Sequence, residues 1–241
     1  MEKVNKPFVV VSRCLGFSAC RYDGQMISDK FVSKLKDYVE YKTVCPEVEI
    51  GLGVPRDTIR LISKDDEIIL YQPASDKEYT KEMVQYSLNC LDSLEDIDGF
   101  ILKGRSPSCG IKGVKVYLGK EKAAMSTKGA GIFASLVMKK YPYLAIEEEG
   151  RLTNFKIREH FLIKLYIMFK FRRVRKEKSM AGLVKFQADN KYLLMAYNQR
   201  EQKILGRIVG NHDKRSFEVL ADEYRDHLGI TFARIDRKSV V

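Results

Sequence analysis

Asp98-Gly99-Phe100-Ile101-Leu102-Lys103, running through Gly104 into Arg105-Ser106-Pro107-Ser108-Cys109-Gly110, is the stretch on which the fold reading turns. An apolar run ends at a cysteine inside a Gly- and Pro-containing turn. The layout occurs twice more. Phe8-Val9-Val10-Val11-Ser12-Arg13 enters Cys14-Leu15-Gly16, and Tyr41-Lys42-Thr43-Val44 enters Cys45-Pro46-Glu47. In a parallel α/β sheet, ligand sites lie beyond the carboxyl ends of the strands. Three such strands would deliver three thiols to one sheet edge.

Working outward, strand-like runs alternate with helical ones. Phe8–Val11 reads as a strand buried on both faces. Ser28-Asp29 opens a helix with Phe31, Leu35 and Tyr38 near one face. Pro46 stops the ladder after Val44. Thr58–Ile62 and Glu67–Tyr71 read as an edge hairpin. Tyr79–Leu94 reads as a helix in which Cys90 packs as a small apolar residue. Gly113–Tyr117 is a short extended piece. Gly129-Ala130-Gly131 precedes a helix over Ile132–Lys140, an arrangement that fits a tight turn or an anion cradle. Tyr143–Ile146 is a last strand, and Glu147-Glu148-Glu149-Gly150 reads as the end of the domain. The alternation predicts an α/β domain over residues 1–150 with a doubly wound, mostly parallel sheet.

From Leu152 the period changes. Phe161, Leu165 and Phe169 recur at helical spacing, which predicts a long helix over Thr153–Arg175. Ser179 is the expected N-cap of the next helix, and helices are predicted over Arg200–Val209 and Ser216–Leu228. Residues 151–241 are therefore expected to be an all-α domain. His212 and His227 read as surface residues.

Charge separates the halves sharply. Residues 1–150 hold 22 Lys+Arg against 22 Asp+Glu, so the whole net charge of +11 lies in residues 151–241. That asymmetry points to a polyanion-binding module beside a neutral one. Its densest run holds Lys170, Arg172, Arg173, Arg175, Lys176 and Lys178, the residues expected to grip a nucleic acid or another anionic surface. Phe171 within the run fits base stacking or core packing. No apolar stretch has the length of a membrane span, and Met1–Lys6 carries no apolar signal region. The expected location is cytoplasmic, with no membrane partner. Five cysteines, an odd number, argue against a disulfide framework and for metal or redox chemistry.

Cys14, Cys45 and Cys109 lack the close C-x-x-C spacing of structural zinc. As residues alone they fit an iron–sulfur cluster, a zinc with an open position, or three core cysteines. Cys20 lies in a loop rather than at a strand end. Glu47, two residues from Cys45, is placed for proton transfer or is a surface carboxylate.

The blocks Cys14-Leu15-Gly16 with Arg21-Tyr22-Asp23-Gly24, Cys45-Pro46-Glu47 with Gly53-Val54-Pro55-Arg56, and Arg105-Ser106-Pro107-Ser108-Cys109-Gly110 resemble the signatures of the thiouracil desulfidase family, over residues 7–147. The resemblance implies a 4Fe–4S cluster held by Cys14, Cys45 and Cys109, with one iron free of protein ligands. It leaves Cys20 out. It implies non-redox chemistry in which the free iron acts as a Lewis acid toward an exocyclic sulfur while water attacks the ring carbon. Glu47 and Ser106 become the catalytic residues, and Arg105 and Ser108 the substrate-binding ones.

Arg158-Glu159-His160-Phe161, Leu183-Val184-Lys185-Phe186 and Lys191-Tyr192-Leu193-Leu194-Met195-Ala196 resemble the helical module fused behind such domains in bacterial tRNA 4-thiouridine desulfidases. Several relatives carry histidines where this chain has Gln187 and Tyr197. The resemblance implies an enzyme that converts 4-thiouridine in tRNA to uridine with release of sulfide. The alternatives are a desulfidase of free thiouracil or thiopyrimidine nucleotides, and a non-enzymatic tRNA-binding protein with a structural cluster.

Overall fold

A computed structural model describes residues 6–65, 67–121 and 125–233. These form two compact units. One contains the described residues up to Tyr141 together with Ile146–Arg158. The other contains Pro142–Ala145 and the described residues from Glu159 onward.

The first unit is built on a sheet whose centre is β1 (Phe8–Ser12). It pairs in parallel with β2 (Glu40–Val44) on one side and with β6 (Gly99–Leu102) on the other. β9 (Ala145–Glu148) flanks β6. Val9, Val10 and Val11 are fully buried, as expected of a central parallel strand covered on both faces. The expected parallel α/β sheet is therefore present, and all three cysteine-bearing turns follow strands of it.

A second sheet departs from the sequence-based picture. β3 (Arg60–Lys64) and β4 (Glu67–Gln72) make the anticipated hairpin. They belong, however, to a separate five-stranded sheet with β5 (Lys77–Glu78), β7 (Val114–Tyr117) and β8 (Ser126–Gly129), in the order β5-β4-β3-β7-β8. β3 pairs with β7 in parallel, Leu61 opposite Val116. The Cys109 loop is thus the passage from β6 in one sheet to β7 in the other.

The helices mostly follow their predicted signals. Asp29 caps α1 (Lys30–Leu35) by accepting a hydrogen bond from the Val32 N–H at 2.8 Å. Val32 and Leu35 face inward, but Tyr38 is exposed because the helix ends before it. Pro46 does more than end a strand. It opens a one-turn helix, α2 (Pro46–Glu49), where a proline's missing donor costs nothing. α3 (Thr80–Asp92) buries Met83, Ser87 and Leu91, and α4 (Ile132–Lys140) buries Ile132, Phe133, Ala134 and Val137.

From Glu159 onward the described residues of the second unit build helices: α5 (Phe155–Glu177, from Glu159 onward), α6 (Met180–Tyr197), α7 (Gln199–Gly210) and α8 (Phe217–Thr231). Phe161, Leu165 and Phe169 are buried as their spacing predicts. Phe171 is a core residue, with ring centres 5.7 Å from Phe186 and 5.4 Å from Tyr224, which removes it from base stacking. Ser179 caps α6 through the Gly182 N–H at 3.1 Å. His227 is not a free surface residue. Its Nδ1 lies 2.7 Å from the Oε2 of buried Glu201, tying α8 to α7. His212 is exposed as expected. Among the described residues no helix is long and apolar enough to cross a membrane.

Candidate active site

Cys14, Cys20, Cys45 and Cys109 line one cavity of ≈ 300 Å³ in the first unit, with Glu47, Arg56 and Ser106. All four cysteines are free and buried. Three reach the cavity because each follows a strand of the parallel sheet at its carboxyl end. Cys14 sits in a turn closed by the Leu15 N–H on the Ser12 carbonyl (2.9 Å) and tied down by the Ile27 N–H on its own carbonyl (2.8 Å). Gly16, at φ +92°, supplies the left-handed step of that turn. Cys45 follows Val44 directly and starts α2.

The Cys109 loop is the most heavily fastened part of the site. Ser106 Oγ accepts hydrogen bonds from the Ser108 and Cys109 N–H groups, both at 3.1 Å. The Gly110 N–H closes the turn on the Ser106 carbonyl at 2.9 Å. Gly131 explains the glycines before α4. A Cβ there would lie 2.5 Å from the Ser108 carbonyl. The N–H groups of Gly131, Ile132 and Ala134 donate instead to the carbonyls of Gly110, Pro107 and Ser108. The anion-cradle alternative therefore falls away, because the loop itself occupies the donors of the α4 N-terminus.

The three glutamates read as a domain end hold the other side of the loop. Glu149 Oε2 accepts from the Gly104 N–H at 2.7 Å and its other oxygen pairs with Lys103 Nζ. Glu148 Oε1 accepts from the Ile111 N–H at 2.8 Å and the Lys112 N–H at 3.3 Å. Glu147 pairs with Arg151. The carboxylates at the end of β9 thus grip both shoulders of the segment that carries Ser106 and Cys109. Buried carboxylates need such partners.

Glu47 is held as firmly. Its Oε2 accepts from Arg56 Nε at 3.1 Å and from the terminal nitrogen at 2.5 Å, a two-pronged guanidinium grip. Its Oε1 accepts from Ser108 Oγ at 2.9 Å and Ser106 Oγ at 3.3 Å. Arg56 also donates to the carbonyls of Cys20 and Gly53, and its side chain is 4% exposed.

Cys14, Cys20 and Cys109 disfavour ionisation in this setting. Burial, followed by neighbouring Cys45, pushes Cys14 up to about 11. Lys103 opposes the shift. Burial and Cys45 push Cys20 up to about 12. Burial also raises Cys109 well above the usual thiol range, against a hydrogen bond with Ser12. Such a set of thiols loses its protons when a cationic group binds among them. Among the described residues no three His, Cys, Asp or Glu side chains close on a single metal ion. Four thiols around a cavity this size fit a larger thiophilic group, an iron–sulfur cluster, better than one ion.

The sequence-predicted residues fall into three groups. Cys14, Cys45, Cys109, Glu47, Ser106 and Arg105 line the cavity. Arg105 is exposed there with φ 61°, left-handed backbone that is uncommon for arginine and typical of functional loops. Ser108 does not line the cavity. It is fully buried with its hydroxyl on Glu47, so it orients that carboxylate rather than touching a ligand. The basic run lies in the other unit. There Arg175 pairs with Asp222 at 2.8 Å, Lys178 with Glu218 at 3.9 Å, and the Arg172 and Arg173 guanidiniums lie 5.5 and 5.9 Å from the Phe169 ring centre. Lys170 and Lys176 are exposed. Lys103, Glu148 and Glu149 are not legible as site residues from the sequence. Arg56 is visible only as a letter of a block. The available signal was three consecutive carboxylates directly after an apolar strand.

A parallel α/β domain with free thiols at its strand ends, beside a gripped carboxylate, makes a site suited to a thiophilic cofactor. The family model described as 2-thiouracil desulfurase matches residues 9–149, and the chain belongs to that family. A second model, described as a protein of unknown function, DUF1722, matches residues 191–239. The uncharacterized protein YbbK of Bacillus subtilis (strain 168) is 31% identical over 147 residues, spanning 58% of this chain and 95% of its own length. A solved structure of the 4Fe–4S-dependent thiouracil desulfidase TudS is 26% identical, covering 61% of this chain and 94% of that one, with a TM-score of 0.47.

Proposed function

We propose that the chain is a 4Fe–4S-dependent, non-redox desulfidase that converts 4-thiouridine in tRNA to uridine. Cys14, Cys45 and Cys109 hold the cluster, and Cys20 stands beside it without ligating. The single observation that carries the reading is the gathering of these thiols and Glu47 around one cavity of ≈ 300 Å³, at the small end of the range for ligand sites.

When bound, the cluster supplies a thiophilic Lewis acid for the exocyclic sulfur. The chain's own residues do the rest. Arg56, Ser106 and Ser108 fix Glu47 in place from three directions. Glu47 takes a proton from the attacking water and returns it toward the departing sulfur. Water's oxygen replaces sulfur on the ring carbon, the sulfur leaves as hydrogen sulfide, and no electrons are gained or lost. Ser106 links the Cys109 turn to Glu47, so cofactor ligand and base keep one geometry. Arg105 at the cavity contacts the substrate.

The tRNA part of the reading is supported by charge. All of the +11 lies in residues 151–241, and Lys170, Arg172, Arg173, Arg175, Lys176 and Lys178 contact phosphates. The cellular setting is the cytoplasm, where thiols stay reduced. A second reading, a desulfidase of free thiouracil, is favoured by the family's own description.

Anaerobic reconstitution with iron and sulfide, followed by mass spectrometry of nucleosides from treated thiolated tRNA, tests the proposal. Loss of 4-thiouridine with matching uridine supports it. Sulfide release from thiouracil while 4-thiouridine persists in tRNA selects the second reading. Serine at Cys14, Cys45 or Cys109 should abolish iron uptake, and serine at Cys20 should not. A Glu47→Ala chain that keeps its cluster should lose sulfide release.

A further inference from the structure

We infer that Tyr22 is the stacking platform on which the pyrimidine ring lies at the cavity. The inference rests on the desulfurase reading above and extends it to how the heterocycle is oriented. Among the described residues that line the cavity, Tyr22 is the one aromatic. It is 44% exposed, far more than a tyrosine placed there for packing needs. Everything else around it is thiol, charged, hydroxyl or aliphatic, so no other lining side chain offers an aromatic ring, and the flat guanidiniums of Arg21 and Arg56 are engaged by Tyr22 itself and by Glu47.

The ring is also held. The Tyr22 carbonyl accepts a hydrogen bond from the Arg56 N–H at 2.8 Å. Arg56 is the residue whose guanidinium grips Glu47. One residue therefore sets both the carboxylate and the backbone that carries the tyrosine. The following turn is closed by the Gly24 N–H on the Arg21 carbonyl at 3.0 Å. The Arg21 guanidinium lies 5.6 Å from the centre of the Tyr22 ring, and an Asp23 carboxylate 3.4 Å away steadies it. A cation over one face leaves the other for a ligand. Stacking tolerates substituents at the ring edge, so a thiocarbonyl can turn toward the thiols while the ring plane stays fixed.

Calorimetric titration of uracil into the full chain, together with steady-state sulfide release from 2-thiouracil by the reconstituted chain, tests this. Tyr22→Ala should weaken uracil binding about 5- to 150-fold, the range that base–aromatic stacking is worth by alanine substitution. Tyr22→Phe, which keeps the ring, should stay within about twofold, consistent with stacking by the ring itself. For sulfide release, KM should rise far more than kcat falls in the alanine variant. Thiourea, a thione without a ring, should show no such rise. Equal uracil affinity in wild type and Tyr22→Ala, equal loss in Tyr22→Phe, or no uracil binding by wild type overturns the inference. If uracil binding depends on Tyr22 but no sulfide is released from either 2-thiouracil or thiolated tRNA, the desulfurase reading fails and the stacking site stands. If Tyr22→Ala fails to fold, Tyr22→Leu, apolar without a π-face, carries the same expectation.

Discussion

Replacing Glu148 by alanine should free one shoulder of the Cys109 loop without disturbing the sheet. The carboxylate is 7% exposed and accepts from the Ile111 N–H at 2.8 Å and the Lys112 N–H at 3.3 Å. Lys112 is exposed, so water replaces its longer bond, and the loss falls on Ile111. A hydrogen bond to a charged acceptor contributes about 1.5–3 kcal/mol. Taking about 2 kcal/mol, opening at Ile111 becomes about 30-fold more frequent, since 1.4 kcal/mol is tenfold. Amide hydrogen exchange on the full chain reads this directly. The Ile111 amide should exchange about 30-fold faster, while Val10 and Val11 in β1 hold their rates. Glu148→Gln keeps an acceptor oxygen and should recover most of the protection. Sulfide release should fall in step with exchange, because Ser106 and Cys109 sit on the loosened segment. Unchanged exchange at Ile111, an equal rise in β1, or a glutamine variant as fast as alanine would refute the reasoning.

Other substitutions probe separate links. Arg56→Ala strips Glu47 of both guanidinium bonds and should cut kcat/KM for sulfide release about 100-fold; Arg56→Lys should recover little, since an ammonium lacks the fork. Gly131→Ala drives a methyl to within 2.5 Å of the Ser108 carbonyl and should cost at least about 1–3 kcal/mol, seen as a lower thermal midpoint and less iron bound per chain after reconstitution. Lys164 in α5 is held down to about 8 by burial, so the unfolded chain binds more protons than the folded one from about pH 8 up to its ordinary value near 10.5. Stability should therefore rise with pH across that window and be lost as pH falls through about 8. Lys164→Met should remove this dependence and raise stability at pH 7 by about 2 kcal/mol, measured as the difference between wild-type and variant unfolding at pH 7 and pH 10.

Much of the site is legible in the sequence. Cys14, Cys45 and Cys109 each follow the carboxyl end of a strand, and a parallel sheet brings those ends to one edge. Glu47 was legible through its closeness to Cys45. Ser106 and Ser108, two residues apart, look alike in sequence, and only the tertiary structure separates the one that lines the cavity from the one buried behind it on Glu47. His227 was misjudged for the same kind of reason, its partner Glu201 being 26 residues away. Phe171 fits core or stacking surface from sequence alone, because a basic helix end says nothing about the helix opposite it.

Residue order alone determined what depends on near neighbours: most strand and helix spans, though not α2, β5 or β8, the caps at Asp29 and Ser179, and the division of charge. Hydrophobic period and capping act over a few residues, so they can be read locally. Tertiary structure alone decided the partners: a second sheet joined through β7, Glu149 on Gly104 across 45 residues, and Ser108 on Glu47 across 61. A buried carboxylate must find donors, but which donors it meets is set by where the chain crosses between sheets, and no local pattern encodes that crossing.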